Sequence, residues 1–398
     1  MKTENSDLTL RSDQILDDLV GWRRDFHRFP ELSFQEKRTS EKLGEILESF
    51  RAFEIEKNVG GYGIIATVSH GEGPVVGIRA DMDALPITET ADVPWASQYP
   101  GVMHACGHDA HMAILLGIAQ LLAEDAKAGR FQGTIQLIFQ PAEESCDAKG
   151  ETGAMKMLES GKLHHLDAIL SLHMCPWRKS GEIQWNDGPS MANNDEFHLS
   201  IQGIGGHAGY PQHVKDPIWM ATYVLQALYS LNGRKVDPQD VGTISVGQVH
   251  GGDANNVIPG MVEIKGTLRS YKDDVRETLG KEIHQAANLI SALGGEYSLH
   301  IHRGEPSLIN DSRINRIIKE AAYGLEMYEE PFGMGSEDFS HFTRKIPGAM
   351  FFLGCGLENE RSLHQSDFDI DEHSLPIGVR VLLESAYLIL ERGGVHSR

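Results

Sequence analysis

Residues 74–80 read PVVGIRA, and Asp81 and Asp83 follow directly. The run is apolar on both faces instead of alternating, the pattern of a strand buried on both sides of a parallel sheet. GTIQLIFQ (133–140) and DAILSLH (167–173) share it. Between the first two lies AHMAILLGIAQLLAEDAKAG (110–129), an amphipathic helix closed by Gly129. Strand, helix and strand in this order predict an α/β fold with a largely parallel mixed sheet flanked by helices. Upstream, SDQILDDLVGWRRDFHRFPELSF (12–34) has helical spacing that stops at Pro30, and EKRTSEKLGEILESF (36–50) reads as a second helix.

Open α/β sheets bind ligands beyond the carboxyl ends of their strands. Here the first strand runs into Asp81 and Asp83, the second into Pro141-Ala142-Glu143-Glu144, and the third ends on His173. A later strand, AMFFLGCG (349–356), is followed by LHQSDFDID (363–371), which brings His364 to the same edge. HACGHDAH (104–111) adds three histidines, a cysteine and an aspartate within eight positions. Imidazole and thiolate are good ligands for zinc-like ions, so Cys106 and His108 are candidate ligands that distant residues must complete.

Residues 190–304 follow another pattern. DEFHLSIQG alternates like a half-exposed strand, DPIWMATYVLQALYSL reads as a helix, GTISVGQVHG and MVEIKGTLRSY as two strands, DDVRETLGKEIHQAANLISALGG as a helix and EYSLHIHRG as a last strand. The order βαββαβ predicts a ferredoxin-like α+β satellite domain. It is inserted, because the α/β pattern resumes after it. The expected organisation is a catalytic domain of 1–189 and 305–398 around a satellite of 190–304.

With 398 residues the chain is long enough for two domains. Lys plus Arg number 36 against 57 Asp plus Glu, a formal charge of −21 that repels phosphate backbones and anionic membranes and argues against a nucleic-acid partner. MKTENSDLTLRSDQ has no apolar segment of the secretory kind, and no run approaches the ~20 apolar residues of a spanning helix. Cys106, Cys146, Cys175 and Cys355 form no CxxC pair; reduced thiols in a cytoplasmic protein are expected.

Taken together, GIRADMDALPITE, HACGHDAH, QPAEE, LHMCP, GGHAG, GGDANNVIP, GTLRS, GSEDFS and LHQSDFD resemble, in order, the motifs of the M20 metallopeptidases. The chain looks most like their amidohydrolase branch of N-acyl-amino-acid amidohydrolases, hippurate hydrolases and auxin-conjugate hydrolases. The resemblance runs from about residue 20 to about residue 390. It implies two divalent metal ions per subunit, with Cys106, His108, Glu144, His173 and His364 as ligands. Manganese, zinc, cobalt and nickel all suit such a donor set. It implies Glu143 as general base acting on a metal-bound water, which agrees with the residues themselves: two adjacent carboxylates on a tight turn cannot occupy one place. The expected reaction is hydrolysis of N-acyl or N-aroyl amino acids to a carboxylate and a free amino acid. A dipeptidase or carboxypeptidase is the alternative from the same family. A non-catalytic binding scaffold and a hydrolase with Cys106 as nucleophile are the readings from other classes.

Asp81 stands where many M20 peptidases have a metal-binding histidine. The resemblance therefore makes Asp81 and Asp83 groups that orient a ligand histidine or the base, against a bland role as strand-end caps. His207 matches a family histidine that reaches across a dimer to support the oxyanion; the alternative is a loop histidine on a glycine turn. Asn256 and Arg269 match positions that hold the substrate's carboxylate, with an ordinary surface ion pair as the rival account of Arg269. A homodimer through the satellite, at the exposed edge of its sheet, is the expected assembly. His104 and His111 are assigned to ligand support or the helix surface, His164 and His165 to an inert loop, and Cys175 and Cys355 to buried packing. Glu337 and Asp338 are further candidates. SCDAKGETGA (145–154) departs from the family's glycine-rich continuation, which leaves substrate identity open.

Overall fold

The computed structural model describes residues 4–359 and 361–395. In chain order the elements are α1 (Glu4–Gln14), α2 (Leu16–Arg28), α3 (Lys37–Phe50), β1 (Glu54–Val59), β2 (Gly63–His70), β3 (Val75–Asp81), α4 (His108–Ala128), β4 (Gly133–Gln140), α5 (Gly153–Glu159), β5 (Ala168–Lys179), β6 (Glu182–Trp185) and β7 (Gly188–Met191). There follow β8 (Asp195–Gln202), β9 (Gly206–His207), α6 (Pro217–Tyr229), β10 (Gly242–His250), β11 (Val257–Ile258), β12 (Met261–Ser270), α7 (Asp273–Ala287), α8 (Leu289–Ala292) and β13 (Glu296–Arg303). The chain closes with β14 (Leu308–Asn310), α9 (Ser312–Ala321), β15 (Glu326–Glu329), α10 (Ser340–Thr343), β16 (Gly348–Gly356) and α11 (Ser374–Glu391).

Two units emerge. The first holds the described residues up to Gly188, Ile309–Phe332 and those from Asp338 onward; the second holds Pro189–Leu308 and Gly333–Glu337. The first is built on an eight-stranded sheet of order β1-β2-β4-β3-β5-β16-β6-β15. Its centre, β4, β3, β5 and β16, is parallel throughout. The flanks add antiparallel pairs, β1 with β2, β2 with β4 and β6 with β16. β3 and β4 are buried along nearly their whole length, as their apolar runs demand. α4 and α11 pack on each other and on β3 and β5, and the core includes Phe26, Leu43, Ile114, Leu170, Phe351 and Leu382. The amino-terminal helical segment is two helices, parted at Ile15.

The second unit is an antiparallel sheet of order β10-β12-β8-β13 with α6 and α7 packed against it. β8 shows why one face is covered: Phe197, Leu199 and Ile201 point into a core with Met220, Val224 and Ile283, while Glu196 and Gln202 are exposed. α6 starts cleanly because the Asp216 carboxylate accepts from the Ile218 and Trp219 amides, with Pro217 at the first helical position. Among the described residues no helix is long and apolar enough to cross a membrane.

Candidate metal centre

The carboxyl ends of the four parallel strands meet the start of α4 at one edge of the sheet. Gly107 makes this start possible. It adopts φ 89°, ψ 11°, a left-handed conformation that lets Cys106 and His108 flank a sharp turn into the helix.

The histidines are held in defined tautomers by their far nitrogens. His108 Nδ1 lies 2.9 Å from the Asp83 carbonyl oxygen, and His173 Nδ1 lies 2.8 Å from that of Met174. A carbonyl only accepts, so both Nδ1 atoms donate and both Nε2 atoms are turned to the centre. His173 Nε2 is 3.5 Å from Cys106 Sγ, and His364 Nε2 is 3.2 Å from the same sulfur and 3.5 Å from Glu144 Oε1. His108 Nε2 lies 3.8 Å from Glu144 Oε1. Donor atoms of Cys106, His108 and His173 fall within 4.8 Å of one another, as do those of Cys106, Glu144 and His364, and those of His108, Glu143 and Glu144. These overlapping triads are what a dinuclear metal site requires.

The charges fit cations. Burial, then the fields of Glu144, Glu143 and Asp81, pushes the Cys106 thiol well above its ordinary range. Burial works against a charge on His108, yet Asp81, Asp83 and Glu144 override it and raise the ring to about 10. Burial and the neighbouring His111 lower His173 to about 3. The centre thus favours positive charge at His108 Nε2 and leaves His173 a neutral donor. His108 Nε2 and Glu144 Oε1 are buried without a hydrogen-bond partner, a state that costs about 1–3 kcal/mol each unless a ligand satisfies it. A sulfur, imidazole and carboxylate set suits a borderline divalent ion. The residues fit the group.

Asp81 lies beneath the ligands. Met174 donates its amide to His111 Nε2 at 3.0 Å, so His111 carries its proton on Nδ1 and donates it to Asp81 at 2.6 Å. The other Asp81 oxygen accepts from Arg79 Nη1 at 2.7 Å. Despite burial, His108, His111 and Arg79 hold Asp81 well below the usual carboxylate range. Arg79 is fully buried in β3 and continues to Gln140 (2.8 Å) and Asp338 (2.9 Å). Asp338 also accepts from Gln140 Nε2 and, at 3.1 Å, from the Ala154 amide, while its own amide donates to Glu143 Oε1 at 3.4 Å.

The Pro141–Glu144 turn is strained and clamped. Ala142 sits at φ 49°; its amide donates to Glu36 Oε1 at 2.8 Å and its carbonyl accepts from Gly153 at 2.8 Å. A side chain at Gly153 would collide with the Pro141 carbonyl at 1.6 Å. The Glu144 amide donates to Asp83 Oδ2 at 3.0 Å, an oxygen that also accepts from Ser33 Oγ at 2.6 Å. His364 too is left-handed, at φ 61°, with its amide on the Ala105 carbonyl at 2.8 Å. Next to His108, Asp109 accepts from buried Arg23 at 2.9 Å and His27 at 2.7 Å, and Arg23 reaches Asp369 (2.7 Å) and Glu372 (3.1 Å) beyond His364.

The first unit therefore gathers Cys106, His108, Glu143, Glu144, His173 and His364, with Asp81 and Asp83 underneath. His207, Asn256 and Arg269 belong to the second unit. There the exposed His207 Nδ1 accepts from the Gly209 amide at 2.9 Å, and the Asn256 carbonyl accepts from Ala208 at 3.1 Å. Arg269 is half-buried and donates to the Met334 carbonyl at 2.7 Å. His104 and His111 are buried, not on a helix surface, because α4 starts inside the sheet edge. His164 and His165 are exposed, Cys175 and Cys355 buried, and Glu337 is buried in the second unit. Sequence reasoning missed Arg79, Glu36 and Arg23. A guanidinium inside an apolar strand was the available signal for Arg79, since such a charge is buried only when paired.

A family model for peptidase family M20/M25/M40 matches residues 77–387. The chain is 36% identical over 377 residues to an N-acetylcysteine deacetylase of Bacillus subtilis (strain 168), covering 94% of this chain and 97% of that protein. It is 35% identical over 376 residues to thermostable carboxypeptidase 2 of Saccharolobus solfataricus, covering 92% and 93%. Among solved structures, the Bacillus subtilis YXEP protein, described as a dinuclear metal binding peptidase from the M20 family, superposes with a TM-score of 0.83 at 33% identity, covering 95% of this chain and 99% of that one.

Proposed function

The chain belongs to the M20 peptidase family, and from that premise we propose that it hydrolyses N-acyl or N-aroyl amino acids to a carboxylate and a free amino acid. The coarser activity, metal-dependent hydrolysis of an amide bond at a dinuclear site, is that of the family. The observation that carries the reading is the convergence of the Cys106, Glu144 and His364 donors with those of His108 and His173, with Glu143 alongside.

Cys106, His108, Glu144, His173 and His364 would hold two divalent ions, which when bound would supply the Lewis acidity that lowers the pKa of water from about 16 to near 7. Glu143 takes the proton of the attacking water and hands it to the departing nitrogen. Asp338 steadies Glu143 through its amide, and Asp81 and Asp83 orient His111 and His108. Arg269 and Asn256 receive the carboxylate of the amino-acid half, for which a guanidinium fork is apt. His207 supports the oxyanion across a homodimer formed through the second unit. Among the described residues all four cysteines are free, which suits a reducing cytoplasm. The name of the deacetylase relative supports an acyl substrate, whereas that of the carboxypeptidase relative favours a second reading in which a peptide is cleaved.

The test is metal content by elemental analysis, then turnover of N-acetyl and N-benzoyl amino acids beside dipeptides, with manganese, zinc, cobalt or nickel restored after chelation. Acyl amino acids turned over faster than dipeptides, and no activity with chelator, is the expected result. Preference for dipeptides moves the assignment to the second reading; inertness of the metal-saturated protein toward both sets removes it.

A further inference from the structure

We infer that Glu36 is a positioning residue whose buried carboxylate sets the shape of the turn carrying Glu143 and Glu144. The catalytic part of this claim rests on Glu143 being the general base.

Glu36 immediately precedes α3 and is fully buried. A single oxygen, Oε1, accepts two main-chain amides, from Phe34 at 3.0 Å and from Ala142 at 2.8 Å. The two donors are 108 positions apart, yet both are non-glycine residues in the left-handed region, Phe34 at φ 63° and Ala142 at φ 49°. Among the described residues only five non-glycine residues have positive φ, and His364 of the metal centre is another. Such conformations persist only where the surroundings over-determine them.

The chemistry of the residue points the same way. Among the described residues no ion pair joins Glu36 to a cation, and burial together with the field of Asp83 raises the Glu36 carboxyl to about 7, the mark of an unfavourable place for the charge. A neutral side chain would fill the space without that penalty. What a hydrocarbon cannot do is hold two amides on one acceptor oxygen, as Glu36 Oε1 does. The stitch has a counterpart in Asp83, whose Oδ2 accepts from Ser33 Oγ and the Glu144 amide. The 33–36 loop and the 142–144 turn are thus fastened twice, once at each end of the turn. Without Glu36 the Ala142 amide loses its anchor, the residue relaxes out of the left-handed region, and the Cα–Cβ bond of Glu143 swings away from its present direction.

The experiment uses Glu36→Ala and Glu36→Gln in the full chain, metal-loaded, with three readouts: kcat and KM on the best substrate of the acyl panel, metal stoichiometry, and hydrogen exchange of the 33–36 and 141–144 segments. For E36A the expected result is a fall in kcat of about 100-fold with KM within about threefold, the size expected of a displaced reacting group. Metal content should be unchanged, and exchange should be about tenfold faster or more at Phe34 and Ala142, but not across the sheet. E36Q keeps a carbonyl acceptor at the same reach, and its kcat should recover at least tenfold from E36A. Wild-type kcat in E36A, unaltered Ala142 exchange, or E36Q as impaired as E36A overturns the inference. If E36A does not fold, Glu36→Asp, which withdraws the acceptor by one methylene, is judged by the same outcomes. Exchange needs no turnover, so an inert wild-type protein refutes the proposed reaction while Ala142 still decides whether Glu36 holds the turn.

Discussion

Replacing Gly107 by alanine attacks the hinge between two candidate ligands, and its magnitude follows from the local geometry. The residue sits at φ 89°, where a Cβ costs about 1–2 kcal/mol. That Cβ would lie 2.9 Å from Met174 Cγ and 3.1 Å from Met174 Cβ. Met174 cannot easily retreat, because its amide is held by His111 and its carbonyl by His173. Overpacking of this kind costs about 1–3 kcal/mol, and the stiffer unfolded chain returns only about 0.4–1 kcal/mol. The net loss should be about 2–4 kcal/mol, read by urea unfolding in chelator. Gly101 provides the control: it has φ 83° and open space around its missing Cβ, so G101A should lose only the backbone part. Calorimetric metal titration reads the same perturbation at the site, where a splayed Cys106–His108 pair should weaken affinity by about 30-fold or more, equivalent to about 2 kcal/mol. G107A no less stable than G101A, with undiminished metal affinity, would refute the reasoning.

Glu143→Gln should retain its metal and lower kcat by about 100- to 10,000-fold; elemental analysis and steady-state rates check both halves, and normal turnover would remove Glu143 as the base. Arg79→Met leaves Asp81 and Asp338 buried without their cation and should destabilise the protein by about 3–5 kcal/mol, measured by denaturant unfolding. His27 is raised to about 9 because Asp109 and Glu89 outweigh the burial that opposes its charge. Its folded pKa exceeds its unfolded value, so its contribution is complete below about 6.5 and is lost as pH rises through about 9. The unfolding free energy of wild type, from urea titrations in chelator, should therefore fall over that window by about 3 kcal/mol relative to His27→Gln. Chelation should lower the melting temperature reversibly, since ions at about 100 times their Kd stabilise by about 2.7 kcal/mol.

The central strands were legible because burial on both faces leaves no polar alternation, and β8 was legible because burial on one face does. β1 was not: EIEKNV lies at the sheet edge, mixes exposed and half-buried positions and buries only Val59. β2, GIIATVSH, carries a buried apolar run that the sequence reading did not single out. β15 is four residues with almost no buried side chain, and only its pairing with β6 defines it. At the site, ligand chemistry shows in residue type, so Cys106 and His108 could be singled out, whereas Glu144 was assigned only through the resemblance to the M20 motifs. Glu36 could not. Its partners are chosen by three-dimensional proximity, and a glutamate before a helix is ordinarily exposed. Arg79 meets Asp338 across 259 positions. His104 and His111 flank the ligand pair in sequence, but their burial follows from how deeply α4 starts inside the sheet edge.

β16 is among the last elements of the chain, yet it lies between β5 and β6 inside the sheet. A growing polypeptide leaving the ribosome therefore has β6 unsupported on that side until β16 is made and slots in. His364 follows it, 258 positions after Cys106. If His364 is the ligand proposed above, every truncated or prematurely released product lacking it would have an incomplete donor set and would lose an ion more easily. On that assignment, ion retention would be a readout of finished synthesis, with the metal kept where the final strand has been threaded home.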